Sequence, residues 1–447
     1  MAEKRLYPRI TGSFPIKITP DFLGNTVNLS ESGLSFVLDK PLLISRAQAK
    51  IELSPEEFFD TEFKVIWNRH LIKEGKFTYG ACFINLTEKN IEILRKVMSV
   101  TNNLNIEFVG LTHDFRDYLQ DLKTKFDNLD DKNLEPKKRI NFLESEKEKI
   151  FKKFDFYFNK TWEIIKDFER EKYIAHQNYY YKILSPLLGD IIEINRYIYT
   201  KPLGYSGDYI MMNYIYDYSG NNHYLGGSSF EKLINNYTCN IPISVSNIRR
   251  KEFLKEKIIA TLKKKENAKI LSIASGPARE LTELLREGKF NKSLLFICLD
   301  FEKKALDYVN KEISKIEFKR RQSVTVEYIH RDIISIIRDK KLREVLKDCN
   351  LIYAFGIFDY LTERMVSRLA KELYQLLQNE GELIICNASL ENSSHRAYYE
   401  LLGKWNMAHR TKKQMLDWMN GIEDIKEIKF EEPIRSGNYL FLSIRKK

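Results

Sequence analysis

From Asn267 to the C-terminus, short apolar runs alternate with amphipathic stretches, and this alternation restricts the fold more than any other feature of the chain. Lys269–Ala274, Leu294–Leu299, Thr325–Ile329, Asn350–Ala354 and Glu382–Asn387 are strand-like, and each of the first four precedes a stretch of helical periodicity such as Lys303–Ile313 or Thr362–Leu377. Apolar strands covered on both faces and joined by crossover helices build a doubly wound α/β domain. Two last strand-like runs, Ile425–Glu431 and Tyr439–Arg445, follow one another with no helix between them, the pattern of an antiparallel hairpin.

Upstream the grammar differs. Over residues 1–100, Phe63–Trp67 and Tyr79–Ile84 alternate as half-buried strands do. Over residues 101–200, Phe115, Tyr118, Leu119, Leu122 and Phe126 recur at helical spacing, and Asp130–Asn133 breaks the run. A second helical run begins near Pro136 and carries the stripe Ile140, Leu143, Ile150, Phe154, Phe158, Trp162 and Ile165. That stripe either packs within its own domain or, being close to heptad spacing, offers a face for a homodimer. Residues 201–447 then form the α/β domain with a preceding segment.

With 447 residues the chain has room for about three domains. It has no signal peptide and no apolar run of spanning length, so the expectation is a soluble cytoplasmic protein. The five cysteines are scattered without C-x-x-C spacing and read as buried thiols, with neither a metal site nor a disulfide framework. The net charge of +11 suits an anionic ligand. Its lysines are interspersed with acids, and no basic stripe interleaved with aromatics points to nucleic acid.

Near the N-terminus, Arg5 and Arg9 bracket Pro8, and Asn28-Leu29-Ser30-Glu31-Ser32-Gly33 follows about 20 residues later. An arginine fork pairs with guanine edges and with phosphates, and Asn, Ser and Gly suit a turn that bonds a ligand. This combination, with Val65-Ile66-Trp67 and Gly80-Ala81-Cys82-Phe83, resembles the PilZ domain, a bacterial receptor for cyclic di-GMP. The resemblance implies a β-barrel over residues 1–100 and cyclic di-GMP as regulatory ligand at Arg5, Arg9, Asn28, Ser30 and Gly33.

In the α/β region, Ile270–Glu280 contains Ser275, Gly276 and Pro277 at a strand-to-helix turn, and Asp300 and Phe301 end the second run. Asp332 and Ile333 follow the third run, and Phe355, Gly356 and Tyr360 follow the fourth. Together with the terminal hairpin these resemble class I S-adenosylmethionine-dependent methyltransferases. That implies a Rossmann-like, mostly parallel seven-stranded sheet. It also implies cofactor contacts at Tyr205, Ser275, Gly276, Pro277, Asp300, Phe301, Asp332, Ile333, Phe355 and Gly356. The thin glycine turn lacks the cradle that a dinucleotide pyrophosphate needs.

Lys201–Met212, the Ser275–Glu280 turn and the stretch from Asn387 to Arg410 resemble, more narrowly, methyltransferases of 3-hydroxypalmitic acid methyl ester biosynthesis. That resemblance implies a small-molecule acceptor, an acyl carboxylate, with Lys201–Met212 as a lid. A carboxylate is ionised at neutral pH and needs no general base, so Tyr205, Asp208, Tyr360, Asn387, His395 and Arg396 are expected to orient it. The competing expectation is a cyclic di-GMP-binding adaptor whose methyltransferase fold is a non-catalytic scaffold.

Overall fold

The computed structural model describes residues 10–11, 14–30, 32–53, 58–71, 75–94, 104–132, 135–218, 225–288, 292–391, 394–432 and 438–447. They form two compact units. The first runs to Arg196 and adds Gly227–Glu231 and Arg396–Lys404; the second holds Tyr197–Gly226, Lys232–His395 and Trp405–Lys447. No described helix is long and apolar enough to cross a membrane.

The first unit opens with an antiparallel barrel of strands β1 (Ile10–Thr11), β2 (Pro15–Ile18), β3 (Phe22–Ser30), β4 (Gly33–Leu38), β5 (Arg46–Glu52), β6 (Phe58–Leu71) and β7 (Lys76–Ile84). The order β3-β2-β5-β6-β7-β4 closes through the pairing of β4 with β3, and β1 adds to β3. Closure removes the exposed edges that a sheet of this size would present. Alternate residues point inward, and Phe36 stacks on Tyr79 at 5.2 Å and meets Phe63 edge-on at 5.3 Å. The strand-like runs expected at Phe63–Trp67 and Tyr79–Ile84 lie in β6 and β7.

Helices α1 (Ile106–Asp130), α2 (Pro136–Ile165) and α3 (Arg170–Leu184) complete this unit. Asn105 caps α1 through the N–H of Phe108, and Pro136 opens α2 where a missing N–H costs nothing. Phe115 of α1 stacks on Tyr157 and meets Phe154 and Phe158 edge-on. Leu143, Ile150, Phe154, Phe158 and Ile165 are thereby buried, so the stripe that offered a face for a homodimer is taken up inside the unit. The ring of Phe14, in the barrel core, lies 5.5 Å from His113 of α1, whose Nε2 is 2.7 Å from the Tyr179 hydroxyl on α3.

The second unit is built on β8 (Asn267–Ile273), β9 (Ser293–Asp300), β10 (Val324–His330), β11 (Cys349–Ala354), β12 (Leu377–Ala388), β13 (Ile425–Glu431) and β14 (Tyr439–Lys446), in the order β10-β9-β8-β11-β12-β14-β13. Every strand-like run expected from the sequence lies within or largely within one of these strands. The sheet is mixed: β10, β9, β8, β11 and β12 pair in parallel, while β14 runs antiparallel to both β12 and β13. Every residue of β11 is buried, whereas the edge strands β10 and β13 are half exposed. Around the sheet lie α4 (Tyr209–Tyr218), α5 (Pro242–Lys264), α6 (Arg279–Glu287), α7 (Lys303–Ser314) and α8 (Glu363–Gln375).

Candidate functional site

A cleft in the second unit is lined by the carboxyl ends of β8, β9 and β11 and by the segment 205–212, the place where open α/β sheets present loops to ligands. Its floor is the turn from β8 to α6. Ala274, Gly276 and Ala278 all have left-handed backbone, at φ 51°, 51° and 41°. Two alanines in that region are strained, which marks the turn as held by its surroundings. The space where a Gly276 side chain would stand is open.

Asp300, at the end of β9, turns its carboxylate back to this floor: Oδ2 accepts from Gly276 N at 2.8 Å and Oδ1 from Glu302 N at 2.9 Å. Burial raises its pKa, and those two backbone donors offset part of the rise. Next to it the ring of Tyr205 lies 5.0 Å from Phe301. Burial first, and then the carboxylates of Asp300 and Asp208, push the Tyr205 hydroxyl up, so it keeps its proton and serves as a donor. Phe355, Gly356 and Tyr360 also line the cleft, as do Ser275 and Pro277 of its floor.

Other expected residues have different places. Asp208 lines the cleft yet caps α4, accepting from Ile210 N and Met211 N, and takes the Tyr197 hydroxyl at 2.9 Å. Asp332 and Ile333 are absent from the cleft lining; Asp332 is exposed and accepts from Ser335 N at 3.1 Å. Asn387 is fully buried, bonded to Ala388 O and Ala408 O and accepting from Arg410 at 2.7 Å. His395 is buried with its ring 6.3 Å from Tyr237 and does not line the cleft. Arg396 belongs to the first unit, where it pairs with Glu400 at 2.6 Å and lies over the Trp162 ring at 4.0 Å.

Several cleft residues were given no individual role by the sequence. Glu280 accepts from the Tyr353 hydroxyl at 2.7 Å, and burial raises its pKa. Arg250 and Lys251 reach the cleft from α5, and Met212 and Tyr216 from α4. Each lies on a helix whose amphipathic pattern explains the residue as packing, so only the assembled sheet shows where it points.

In the barrel, Asn28 pairs with Ser35 in the β3–β4 ladder, and Ser30 faces Gly33 across the turn. The Ser30 hydroxyl donates to Gly33 O at 3.1 Å. A side chain at Gly33 would come within 2.2 Å of Ala81 O, so the glycine is required by the approach of β7. Arg5 and Arg9 lie outside the described residues.

No protein-family model matches the chain, and no curated protein matches it. Among solved structures, magnesium protoporphyrin IX methyltransferase from Synechocystis PCC 6803, with bound S-adenosylmethionine, aligns over 45% of this chain and 81% of its own at 9% identity and a TM-score of 0.32. A TehB-like S-adenosylmethionine-dependent methyltransferase from Corynebacterium glutamicum aligns over 43% and 88% at 15% identity, TM-score 0.30. The inhibitor of motility from Bacillus subtilis aligns over 23% of this chain and 53% of its own at 19% identity, TM-score 0.21. At such identities and TM-scores function does not carry over from one chain to another.

Proposed function

We propose that the chain is an S-adenosylmethionine-dependent methyltransferase that acts on a small-molecule acyl carboxylate and responds to cyclic di-GMP bound by its N-terminal barrel. The observation that carries the first part is the meeting of Asp300, the left-handed turn Ala274–Ala278 and Tyr205 in one cleft at the strand ends. These residues fit an adenosyl group. A buried carboxylate suits two vicinal ribose hydroxyls, the open space above Gly276 admits a chain close to the backbone, and the Tyr205 and Phe301 rings suit an adenine face. When bound, the cofactor supplies a methyl sulfonium whose reactivity is its own. The chain's residues then bind, orient and exclude water, and an ionised acceptor needs no proton removed.

Asn28, Ser30 and Gly33 at one barrel turn, with Arg5 and Arg9 earlier in the sequence, are the residues proposed to take cyclic di-GMP. A second reading, a cyclic di-GMP-binding adaptor without catalysis, is favoured by one observation: the Asp300 carboxylate is already bonded to Gly276 N and Glu302 N.

Calorimetric titration of the full chain with S-adenosylhomocysteine separates the two. The enzyme reading expects saturable binding that Asp300→Ala weakens at least about tenfold, the loss of a charge-assisted bond. A folded chain that gives no binding heat, while still binding cyclic di-GMP, would leave the adaptor.

A further inference from the structure

Arg250 projects from α5 into the cleft and is only 7% exposed. Its Nη2 lies 3.1 Å from the Met212 sulfur, its guanidinium lies 5.6 Å from the centre of the Tyr439 ring, and it donates to the Tyr216 hydroxyl oxygen. A Cβ placed on Gly356 would stand 3.6 Å from the same group. No carboxylate of the described residues comes within the 4.0 Å of an ion pair. The two acids closest in the electrostatic sense are engaged elsewhere, Asp359 by Ala388 N at 2.6 Å and Glu280 by the Tyr353 hydroxyl.

Three lysines of the same helix are paired instead. Lys251 meets Glu283 at 2.6 Å, Lys255 meets Glu287 at 2.7 Å and Lys257 meets Glu382 at 2.7 Å. Arg250 feels the charges of Glu280 and Asp359 but forms an ion pair with neither, and a guanidinium withdrawn from water with no paired carboxylate is costly. Its surroundings are a thioether, phenols and the Phe355 ring, suited to an acid with a hydrocarbon or aromatic body.

Position separates this group from the nucleoside end. Asp300 ends β9, whereas Gly356 and Tyr439, beside Arg250, stand at the ends of β11 and β14. Two to four strands at 4.7–4.9 Å each put roughly 10–20 Å between them.

We propose that Arg250 is the receptor for the acceptor's carboxylate, which makes the substrate class a monocarboxylic acid; this rests on the methyltransferase reading. The guanidinium holds one carboxylate oxygen and leaves the other free. The free oxygen's lone pair forms the bond to the methyl carbon as the carbon–sulfur pair returns to sulfur, and no proton moves. The ester formed is uncharged and loses its hold on Arg250, which favours release.

The test uses the full chain saturated with S-adenosylhomocysteine and titrated with octanoate, palmitate and benzoate, each beside its primary amide. At least one acid should bind tenfold or more tighter than its amide. Arg250→Met should erase that preference, Arg250→Lys should keep part of it, and S-adenosylhomocysteine should bind both variants within twofold of the wild type. Circular dichroism checks folding, and the lysine variant serves if the methionine variant does not fold. An Arg250→Met chain that loses affinity for S-adenosylhomocysteine but not for methylthioadenosine, which has no carboxylate, would overturn the proposal in favour of the cofactor's own carboxylate. A wild-type chain that binds S-adenosylhomocysteine but prefers no acid over its amide would also overturn it. Absence of S-adenosylhomocysteine binding would instead remove the methyltransferase reading beneath it.

Discussion

Asp359 places a carboxylate behind the cleft wall, and burial pushes its pKa up to about 6, outweighing the Ala388 N–H and the more distant cations Arg250 and Arg410 that lower it. Its folded pKa therefore lies above the ordinary value of 3.8. Between about pH 4 and 6 the native chain binds more protons than the unfolded one, so stability is full below that window and falls as pH rises through it. The loss reaches up to about 3 kcal/mol above pH 6. Asp359→Asn keeps an acceptor for Ala388 N but has no charge to bury. The stability difference between wild type and variant, from urea midpoints at pH 4 and pH 6.5, should shift toward the variant at the higher pH. A pH-independent difference would mean that Asp359 titrates as an exposed acid. At this scale the sequence exposed Asp300, Gly276 and Tyr205, because each lies in a turn or at a strand end where a polar or small residue interrupts an apolar pattern. It hid Arg250, and it left Glu280 and Arg410, which end two of the resembling stretches, without individual roles; those roles come from partners far along the chain. Arg410 donates to Phe358 O, Leu361 O and Asn387 and so fixes the loop after β11 from residues up to 52 positions away. Asn387, expected to orient the acceptor, is one of its partners.

The strands were legible because their apolar runs need no distant partner to be recognised, whereas crossover handedness and the final hairpin only narrow the possible sheet orders. Less legible was the stretch 396–404, which follows β12 closely in sequence yet packs in the first unit. There the Tyr398 hydroxyl donates to Asn195 at 2.7 Å, and Glu400 receives Tyr173 and Arg396. The segment expected to act as a lid is held more specifically than its glycines suggest. Gly207 has φ 75°, and a side chain there would meet Trp405 at 2.7 Å and the Tyr360 hydroxyl at 3.4 Å. Trp405 in turn donates to Tyr360 at 2.6 Å. Gly207→Val should displace the segment and weaken S-adenosylhomocysteine binding about tenfold, with a stability loss of roughly 1–2 kcal/mol from the left-handed backbone. Gly204→Ala is the control: it shares the positive φ but meets nothing within 4 Å, so it should cost stability without a comparable loss of affinity. Equal affinities for the Gly207→Val chain and the wild type would show that the segment does not shape the site.

At the scale of the whole molecule, the proposed regulation is a coupling between two ligands bound by different units. Within the first unit a continuous route exists from barrel to helices: Phe14 against His113, and His113 against Tyr179. The chain passes from the first unit to the second between Arg196 and Tyr197, and Tyr197 bonds Asp208, the cap of the helix that follows the 201–207 segment. A ligand that alters the barrel acts on the cleft only if it favours one of two states that the cleft ligand also distinguishes. Saturating cyclic di-GMP should therefore change the S-adenosylhomocysteine dissociation constant by a factor of about 5 or more, the lower end of usual coupling energies. Linkage requires S-adenosylhomocysteine to change the cyclic di-GMP dissociation constant by the same factor and in the same direction. Arg9→Ala should abolish both changes while leaving S-adenosylhomocysteine binding in the absence of cyclic di-GMP intact. If both ligands bind and neither constant moves, the two units act independently and the barrel serves another purpose than control of the cleft. If the change survives in Arg9→Ala, Arg9 does not transmit it, and the ligand acts through other residues.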